Sequence, residues 1–229
     1  MVEDRDDCKF SSSDWFRRYI GDAVCVLYPK TVGELSAVLK FCDQNLLAVV
    51  PQGGNTGLVG GGTPVDREII LNLKKMNQVI NFDANQGILE CEAGCVLQDL
   101  MNYVGEFNYE MPFDLPARGS CTIGGNVATA AGGINFVKHG PLRANVLGLE
   151  VVLANGKVLD MMSRVRKDST GPDLKQFFIQ SEGTLGLITK VSLQCAPMQK
   201  EKKVAILDVE SYAHVPETLA LCKSTLGRS

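Results

Sequence analysis

Only two histidines, His139 and His214, occur in the 229 residues, and they stand 75 positions apart (214 minus 139) with no third partner. A zinc or iron site built on imidazoles gathers three or four donors in one place, so no such centre is expected within this chain. The eight cysteines, at 8, 25, 42, 91, 95, 121, 195 and 222, include no C-x-x-C pair. Several fall on apolar faces, Cys25 in AVCVLY and Cys42 in LSAVLKFC, which reads as buried reduced thiols of an intracellular protein rather than a disulfide framework. Cys91 and Cys95 are close enough to suggest a metal, but the intervening Gly94 and a hairpin-like context argue against one. No apolar run approaches the roughly 18 residues that a membrane span needs. The N-terminus, MVEDRDDCKFSSSDW, has neither the apolar stretch of a secretory signal nor the Arg-rich, acid-poor character of a transit peptide. A net charge of −3 with interspersed signs offers no basic surface for nucleic acid or an anionic membrane.

What remains is an ordinary globular composition, 45% hydrophobic and 21% charged, sufficient for one sizeable core or two small ones. Glycine is concentrated. PQGGNTGLVGGG (51–62) and GSCTIGGNVATAAGG (119–133) together hold 11 of the 23 glycines, six and five respectively, and SEGTLG (181–186) adds a third such segment. Glycine lets a backbone approach a ligand closely and adopt φ > 0, and successive backbone N–H groups make an anion cradle. The first segment carries neither G-x-G-x-x-G nor a Gly-Lys-Ser/Thr ending, so it matches neither familiar phosphate loop. A lone loop of this kind could be a linker or paired turns. Two of them, with Leu58, Val59, Ile123 and Val127 inside and small polar Asn55, Thr56, Ser120, Thr122, Asn126 and Thr129 between the glycines, argue for a site. The ligand best suited is a pyrophosphate carried by a larger cofactor and bound without metal.

The surrounding pattern supports that placement. AVCVLY (23–28) reads as a strand, and Thr31 with Glu34 has the spacing of a capping box opening a helix with Leu35, Val38, Leu39 and Cys42 on one face. LLAVV (46–50) reads as a strand buried on both faces, with the glycine segment directly after it, and EIILN (68–72) as a third strand. Ligands of open α/β sheets sit beyond the carboxyl ends of strands. From residue 79 the rhythm changes to hairpins: QVINFD and GILECE across Ala84–Gly87, and VLGLEVVLANGKVLDM across Asn155-Gly156. Between them VLQDLMNYVGE reads as a helix with Leu97, Leu100, Met101 and Val104 inward. DLKQFFI reads as a short helix and LGLITKVSLQC as a further strand, giving a mixed or antiparallel sheet. After Pro197 comes a linker, QKEKK, then a strand in VAILDV and a helix in PETLALCKSTL.

PQGGNTGLVGG, MPFDLPARGSCTIGGNVATAAGG, VLGLEVVLANGKVLD and RKDSTGPDLKQFFIQSEGTLGLIT, in this order, resemble the FAD-binding (PCMH-type) domain of the vanillyl-alcohol-oxidase flavoprotein family. Within it they are similar to the D-2-hydroxyacid dehydrogenases, nearest the mitochondrial hydroxyglutarate branch, and the resemblance covers about residues 19–228. It implies an α+β fold: an N-terminal lead (1–18), a PCMH-type FAD-binding domain (19–197) of two α/β subdomains (about 19–80 and 81–197), and the truncated start of a substrate or cap domain (198–229). It implies non-covalent FAD. Pro51, Gly53, Gly54, Asn55, Thr56 and Gly57 would line the pyrophosphate, with Gly60 keeping the loop close. Pro112, Gly119, Ser120, Gly124, Gly125, Asn126 and Thr129 would follow the pyrophosphate, ribityl chain and ring, Gly132 and Gly133 would pack beside the ring, and Glu182, Gly183 and Ile188 would meet the adenosine end. Pro116, Thr122, Ala130 and Pro172 depart from the family's usual Gly, His, Asn and Tyr.

The resemblance further implies oxidation of a D-2-hydroxyacid, D-2-hydroxyglutarate first, to the 2-oxoacid. Electrons would pass to an acceptor such as an electron-transfer flavoprotein or a cytochrome. The group that binds the substrate carboxylate and any metal ion would belong to the C-terminal substrate domain, so no catalytic residue is assigned and this chain alone is expected to be inactive. A non-catalytic flavin-binding protein and a D-lactate or glycolate dehydrogenase are the alternatives. The mitochondrion is the location implied, the cytoplasm the alternative, and a homodimer a further candidate assembly. His139 reads as a packing or cofactor-edge residue, His214 as a solvated residue before a helix, and Arg166 with Lys167 as a solvated pair.

Overall fold

A short helix, α1 (Arg5–Ser11), precedes strand β1 (Cys25–Leu27) in the computed structural model, which describes residues 5–201 and 203–226. The capping-box spacing then opens helix α2 (Val32–Gln44): the Glu34 amide donates to Thr31 Oγ1 at 3.2 Å, and the Lys30 amide to Glu34 Oε2 at 2.8 Å. Side chains thus close the first turn, where backbone donors have no intrahelical acceptor. Leu35, Leu39 and Cys42 form its buried stripe.

The next strand is displaced from its expected position. LLAVV does not form one doubly buried strand: Leu46 has φ +54° and is 94% exposed, Leu47 is exposed, and β2 runs Val49–Gln52. The reason is the helix exit. The Leu47 amide bonds the Cys42 carbonyl at 2.9 Å and the Leu46 amide that of Asp43 at 3.2 Å, the paired bonds of a Schellman ending with Leu46 in the left-handed position usually given to Gly. The apolar run is therefore shared between a helix terminus and a strand that continues to the edge of the glycine segment. With β3 (Ile69–Asn72) in the middle, the three strands form a parallel sheet of order β1-β3-β2.

The second sheet is antiparallel throughout, with order β4-β5-β9-β7-β8 from β4 (Val79–Asp83), β5 (Ile88–Glu92), β7 (Val146–Val152), β8 (Val158–Met161) and β9 (Leu187–Gln194). Both expected hairpins form. At the second, the Gly156 amide bonds the Leu153 carbonyl at 2.8 Å and Gly156 has φ +81°. Asn155-Gly156 thus closes a four-residue turn with glycine in its last position, rather than occupying both centres of a two-residue turn. Helix α3 (Leu97–Gly105) follows β5 and buries Leu97, Leu100 and Val104; β6 (Tyr109–Glu110) pairs with β10 (Ala196–Pro197). Helices α4 (Ile123–Ala128) and α5 (Phe136–His139) lie between β6 and β7, and DLKQFFI forms a 3-10 turn over Leu174–Phe177.

One hydrophobic core joins both sheets: Leu35 and Leu39 of α2 and Leu71 of β3 pack in the same cluster as Leu89, Leu100, Ile123, Leu149, Val191 and Leu193. A smaller cluster, Ala23, Val26, Tyr28 and Ile70 with Cys8 beside it, fills the α1 side of the parallel sheet. Residues through Pro197 make one compact unit, and residues from Met198 make a second. In the second unit the expected helix is present as α6 (His214–Leu226), with His214 exposed at its start. The expected strand in VAILDV is not: among the described residues 203–209 adopt no strand, and Val204 and Ile206 are 92% and 95% exposed. A strand needs a ladder partner for its amides and carbonyls, and the second unit offers one helix and no other strand among its described residues.

All eight cysteines are free, and five of them are buried. Burial pushes the Cys195 thiol up to about 12, and Cys91, hydrogen-bonded with Cys95 and fully buried, is raised well above its ordinary value. Alkylation proceeds through the thiolate. At pH 8, iodoacetamide is therefore expected to modify Cys8 and Cys222 in the native protein and to reach Cys91 and Cys195 only in denaturant, as peptide mass mapping will check. At the helix exit, Leu46→Gly removes left-handed strain at an exposed position and is expected to raise unfolding free energy by about 1 kcal/mol in a urea titration.

Candidate functional site

Strand β2 ends on Gln52 and β3 on Asn72, and these two polar residues fix the start of the first glycine segment. They are register partners, both buried. Asn72 Nδ2 donates to Gln52 Oε1 and to the Gly53 carbonyl, each at 3.0 Å. Gln52 Nε2 donates at 2.9 Å both to Ser11 O and to Gly62 O, so one side chain gathers the N-terminal segment and both ends of the loop. Asn55, at φ +51°, donates from Nδ2 to Ser13 O at 2.8 Å. The segment before β1 is thus no loose lead. It forms a small hairpin bridged at Ser13 and Ile20, and a side chain at Gly60 (φ +77°) would strike the Tyr19 ring.

The second glycine segment is anchored on the turn between β5 and α3. Val96 and Thr122 form a bridge, the Ile123 amide donates to Cys95 O at 2.9 Å, and the Gly124 amide to Ala93 O at 2.8 Å. The third segment is anchored on α4, through the Glu182 amide to Ala128 O at 2.8 Å. The three then interlock. A Cβ on Gly54 would run into the Ser120 carbonyl, one on Gly53 into the Thr122 hydroxyl, one on Gly124 into Ala93, and one on Gly183 into the Pro51 ring. At these positions the missing side chain lets loop meet loop. At Gly57 and Gly119, by contrast, an added Cβ meets nothing within 4 Å.

Between the loops lies a cleft of about 910 Å³, near the upper end for small-molecule sites. Pro51, Gly53, Gly54, Asn55, Thr56, Gly57, Gly60, Gly119, Ser120, Gly124, Gly125, Asn126, Thr129, Glu182, Gly183 and Ile188 all line it. Pro112, Gly132 and Gly133 do not. Pro112 is buried between core residues Met111 and Phe113, and Gly133 is glycine because the Asp114 carbonyl occupies the space of its Cβ. Sequence reasoning missed Asp14, Trp15 and Phe16, which come from the N-terminal hairpin, and Thr63, Leu73, Leu115 and Leu187. Trp15 is the chain's one tryptophan, and its neighbours Ser11, Ser12 and Asp14 are buried; the acidic residues before them concealed that contrast.

The cleft combines apolar side chains with unpaired polar groups. Among the described residues, the backbone amides of Gly53 through Gly62 donate to no carbonyl or side chain of the chain. Asp14 Oδ2 and Thr63 Oγ1 are buried without partners, and the buried Asn126 Nδ2 has only the Cys121 sulfur beside it. Asp14 and Glu182 are the charged side chains on the lining, and no lysine or arginine of the described residues joins them. The Cys121 thiol, at the wall, is raised by burial. His139 lies off the cleft: Nε2 is 3.6 Å from Glu110 Oε1, and burial, then the adjacent Lys138, hold its protonation below the ordinary histidine range. Its contact is thus with Glu110 rather than with the cleft lining.

Comparisons with known proteins converge on this part of the chain. The FAD binding domain family matches residues 23–162. D-2-hydroxyglutarate dehydrogenase, mitochondrial, of Danio rerio is 51% identical over 226 residues, covering 99% of this chain and 42% of that protein. D-2-hydroxyglutarate–pyruvate transhydrogenase of Saccharomyces cerevisiae is 43% identical over 216 residues, covering 94% of this chain and 44% of that protein. The chain therefore spans less than half the length of these relatives. Among solved structures, an alkyldihydroxyacetonephosphate synthase superposes with a TM-score of 0.79 at 17% identity, over 98% of this chain and 43% of that one. That likeness gives the fold: α+β, of the PCMH-type FAD-binding kind.

The two kinds of glycine predict opposite outcomes. Gly54→Ala forces loop against loop and is expected to cost about 1–3 kcal/mol, lowering the melting temperature. Gly57, whose φ is not left-handed, faces open space, so Gly57→Ala is expected to change stability by less than about 0.5 kcal/mol. Thermal melts of the two variants compare them directly.

Proposed function

The chain belongs to the FAD binding domain family, and on that footing we propose that its three-loop cleft holds FAD non-covalently, in the service of oxidising a D-2-hydroxyacid to the 2-oxoacid. The observation that carries this reading is that residues Gly53 to Gly62 all line the cleft while their amides have no internal acceptor. A diphosphate suits such a row: each N–H donates to an oxygen, and neither cation nor metal is required. The fit extends along the cleft. Gly57 and Gly119 border open space on the cleft lining, and the buried Asn126 Nδ2 has no acceptor firmer than the Cys121 sulfur.

In this reading the amides of Gly53, Gly54, Asn55, Thr56 and Gly57 hold the diphosphate. Ser120, Gly125, Asn126 and Thr129 follow the middle of the cofactor, and Glu182, Gly183 and Ile188 meet its adenosine half. Leu58, Val59, Leu115, Leu187 and Ile188 keep water from the ligand's apolar faces. Bound FAD supplies the hydride acceptor that no amino-acid side chain can provide; the chain's own residues orient it and shield it. Non-covalent binding is supported by the side chains that could otherwise form a tether. His139 sits beside Glu110, and the Cys121 thiol is raised by burial away from the reactive thiolate.

D-2-hydroxyglutarate is the first substrate to test, because the relative from Danio rerio carries that name over 99% of this chain. The same name supports a mitochondrial location, and the electrons gained would pass to a redox partner such as an electron-transfer flavoprotein or a cytochrome.

Purified protein incubated with FAD and desalted is expected to show flavin absorption bands, and denaturation followed by filtration to release all of the yellow colour. Absence of flavin after reconstitution would overturn the reading, and colour retained on the denatured chain would overturn its non-covalent part. Asn126→Ala removes one buried donor and is expected to weaken FAD binding about tenfold. Anaerobic D-2-hydroxyglutarate, but not the L-enantiomer, is expected to bleach the flavin of the complete protein; bound flavin untouched by either enantiomer leaves the cofactor reading standing and removes the substrate.

A further inference from the structure

The part of the cleft built by the N-terminal hairpin is chemically opposite to the rest. Along Gly53–Gly57 the wall presents donors. Near Gly60–Thr63 side-chain acceptors join the backbone. Asp14 is 3% exposed and lines the cleft. Its Oδ1 accepts the Tyr19 amide at 2.9 Å, while its Oδ2 is buried without a partner. Thr63, 7% exposed, also lines the cleft with its hydroxyl unpartnered. A Cβ on Gly61 would lie 3.1 Å from Glu182 Oε2, so a second carboxylate reaches the same stretch. Gln52 brings the two chain segments together by donating to Ser11 O and Gly62 O at 2.9 Å each.

Two carboxylates with a hydroxyl repel a phosphate and attract hydroxyl or amino donors. A buried carboxylate oxygen left unpaired is costly, and a ligand donor at this wall relieves it; the soft χ2 torsion of Asp allows Oδ2 to meet that donor. Of the two halves of FAD, adenosine carries a ribose diol and an exocyclic amine, whereas the outer ring of the flavin carries methyl groups. Trp15 and Phe16, exposed and on the same wall, add apolar surface for a flat base.

We propose that Asp14, assisted by Thr63, is the residue by which this cleft recognises the adenosine half of the dinucleotide, accepting a hydrogen bond from its ribose or amino group. This rests on the reading of the cleft as an FAD site. The donor-lined and acceptor-lined ends together set the direction in which the dinucleotide lies, with the diphosphate on Gly53–Gly57 and the adenosine toward the N-terminal hairpin.

Asp14→Asn is the informative change, since its remaining oxygen still serves the Tyr19 amide while the ligand's donor now faces an N–H. Titrating FAD and FMN by flavin fluorescence, the variant is expected to bind FAD about tenfold or more weakly than the wild type, with FMN affinity and melting temperature unchanged. Thr63→Val is expected to weaken FAD several-fold, again without effect on FMN. The wild type is expected to prefer FAD to FMN. Equal losses for FAD and FMN in either folded variant, no loss for FAD, or a wild type indifferent between the two overturns the assignment. A wild type that binds FAD while Asp14→Asn binds it equally well removes this inference alone. A wild type that binds no FAD removes the flavin reading and this inference with it.

Discussion

Close approach at glycine, loop against loop, is the constraint on which the site depends. Where Gly54 meets Ser120 and Gly183 meets Pro51 there is no room for a β-carbon, and the three loops can wall one cleft only because those atoms are absent. Glycine is costly in chain entropy, and a loop of glycines has no reason to hold one shape. Here the shape is imposed from outside, by Gln52 and Asn72 at the loop's root, by Asn55 reaching back to Ser13, and by the anchoring of the second segment on Ala93 and Cys95. The amides of that loop are left without internal acceptors on residues that line the cleft.

The two sheets serve that arrangement in different ways. The parallel sheet delivers the first loop from the carboxyl end of β2, where open α/β sheets place their ligands. The antiparallel sheet provides a stiff base: β9 lies between β5 and β7, and Glu150, buried in β7, is satisfied by Thr189 and Lys190 of β9 at 2.8 and 3.0 Å. Helix α2 belongs to the first sheet but also meets the second, with Ser36 donating to the Gly156 carbonyl at 2.6 Å. A shared core leaves the loops little freedom to part.

Local chemistry was legible in the sequence wherever it involved neighbours. The Thr31–Glu34 cap, both hairpins, the stripe of α3 and the glycine segments each declare themselves within a few residues. Features decided by distant residues did not. Leu46 and Leu47 read as strand because they are apolar, but the helix before them had to end. VAILDV is apolar like a strand yet has no ladder partner among the described residues of its unit. Asp14 and Trp15 looked like part of an acidic lead because nothing nearby reveals Gln52 and Asn55, about forty residues on. Gly133 resembled its neighbours in the second glycine segment, although its own reason for being glycine is the Asp114 carbonyl.

The ties from Gln52 and Asn55 to Ser11 and Ser13 span 41 and 42 positions of the chain, and they give the cleft a place in the order of assembly. Closing so long a segment carries an entropic cost that is recovered only once its ends are already held together. The β1–β3 pairing of the parallel sheet has a similar reach, with Cys25 opposite Ile69, so sheet and clasp close at a comparable cost, and the glycine loop acquires its final curvature only when the upstream hairpin docks against it. A protease cut between the hairpin and β1 would turn an intramolecular clasp into a bimolecular one, loosening the loop while the core beneath it stayed whole.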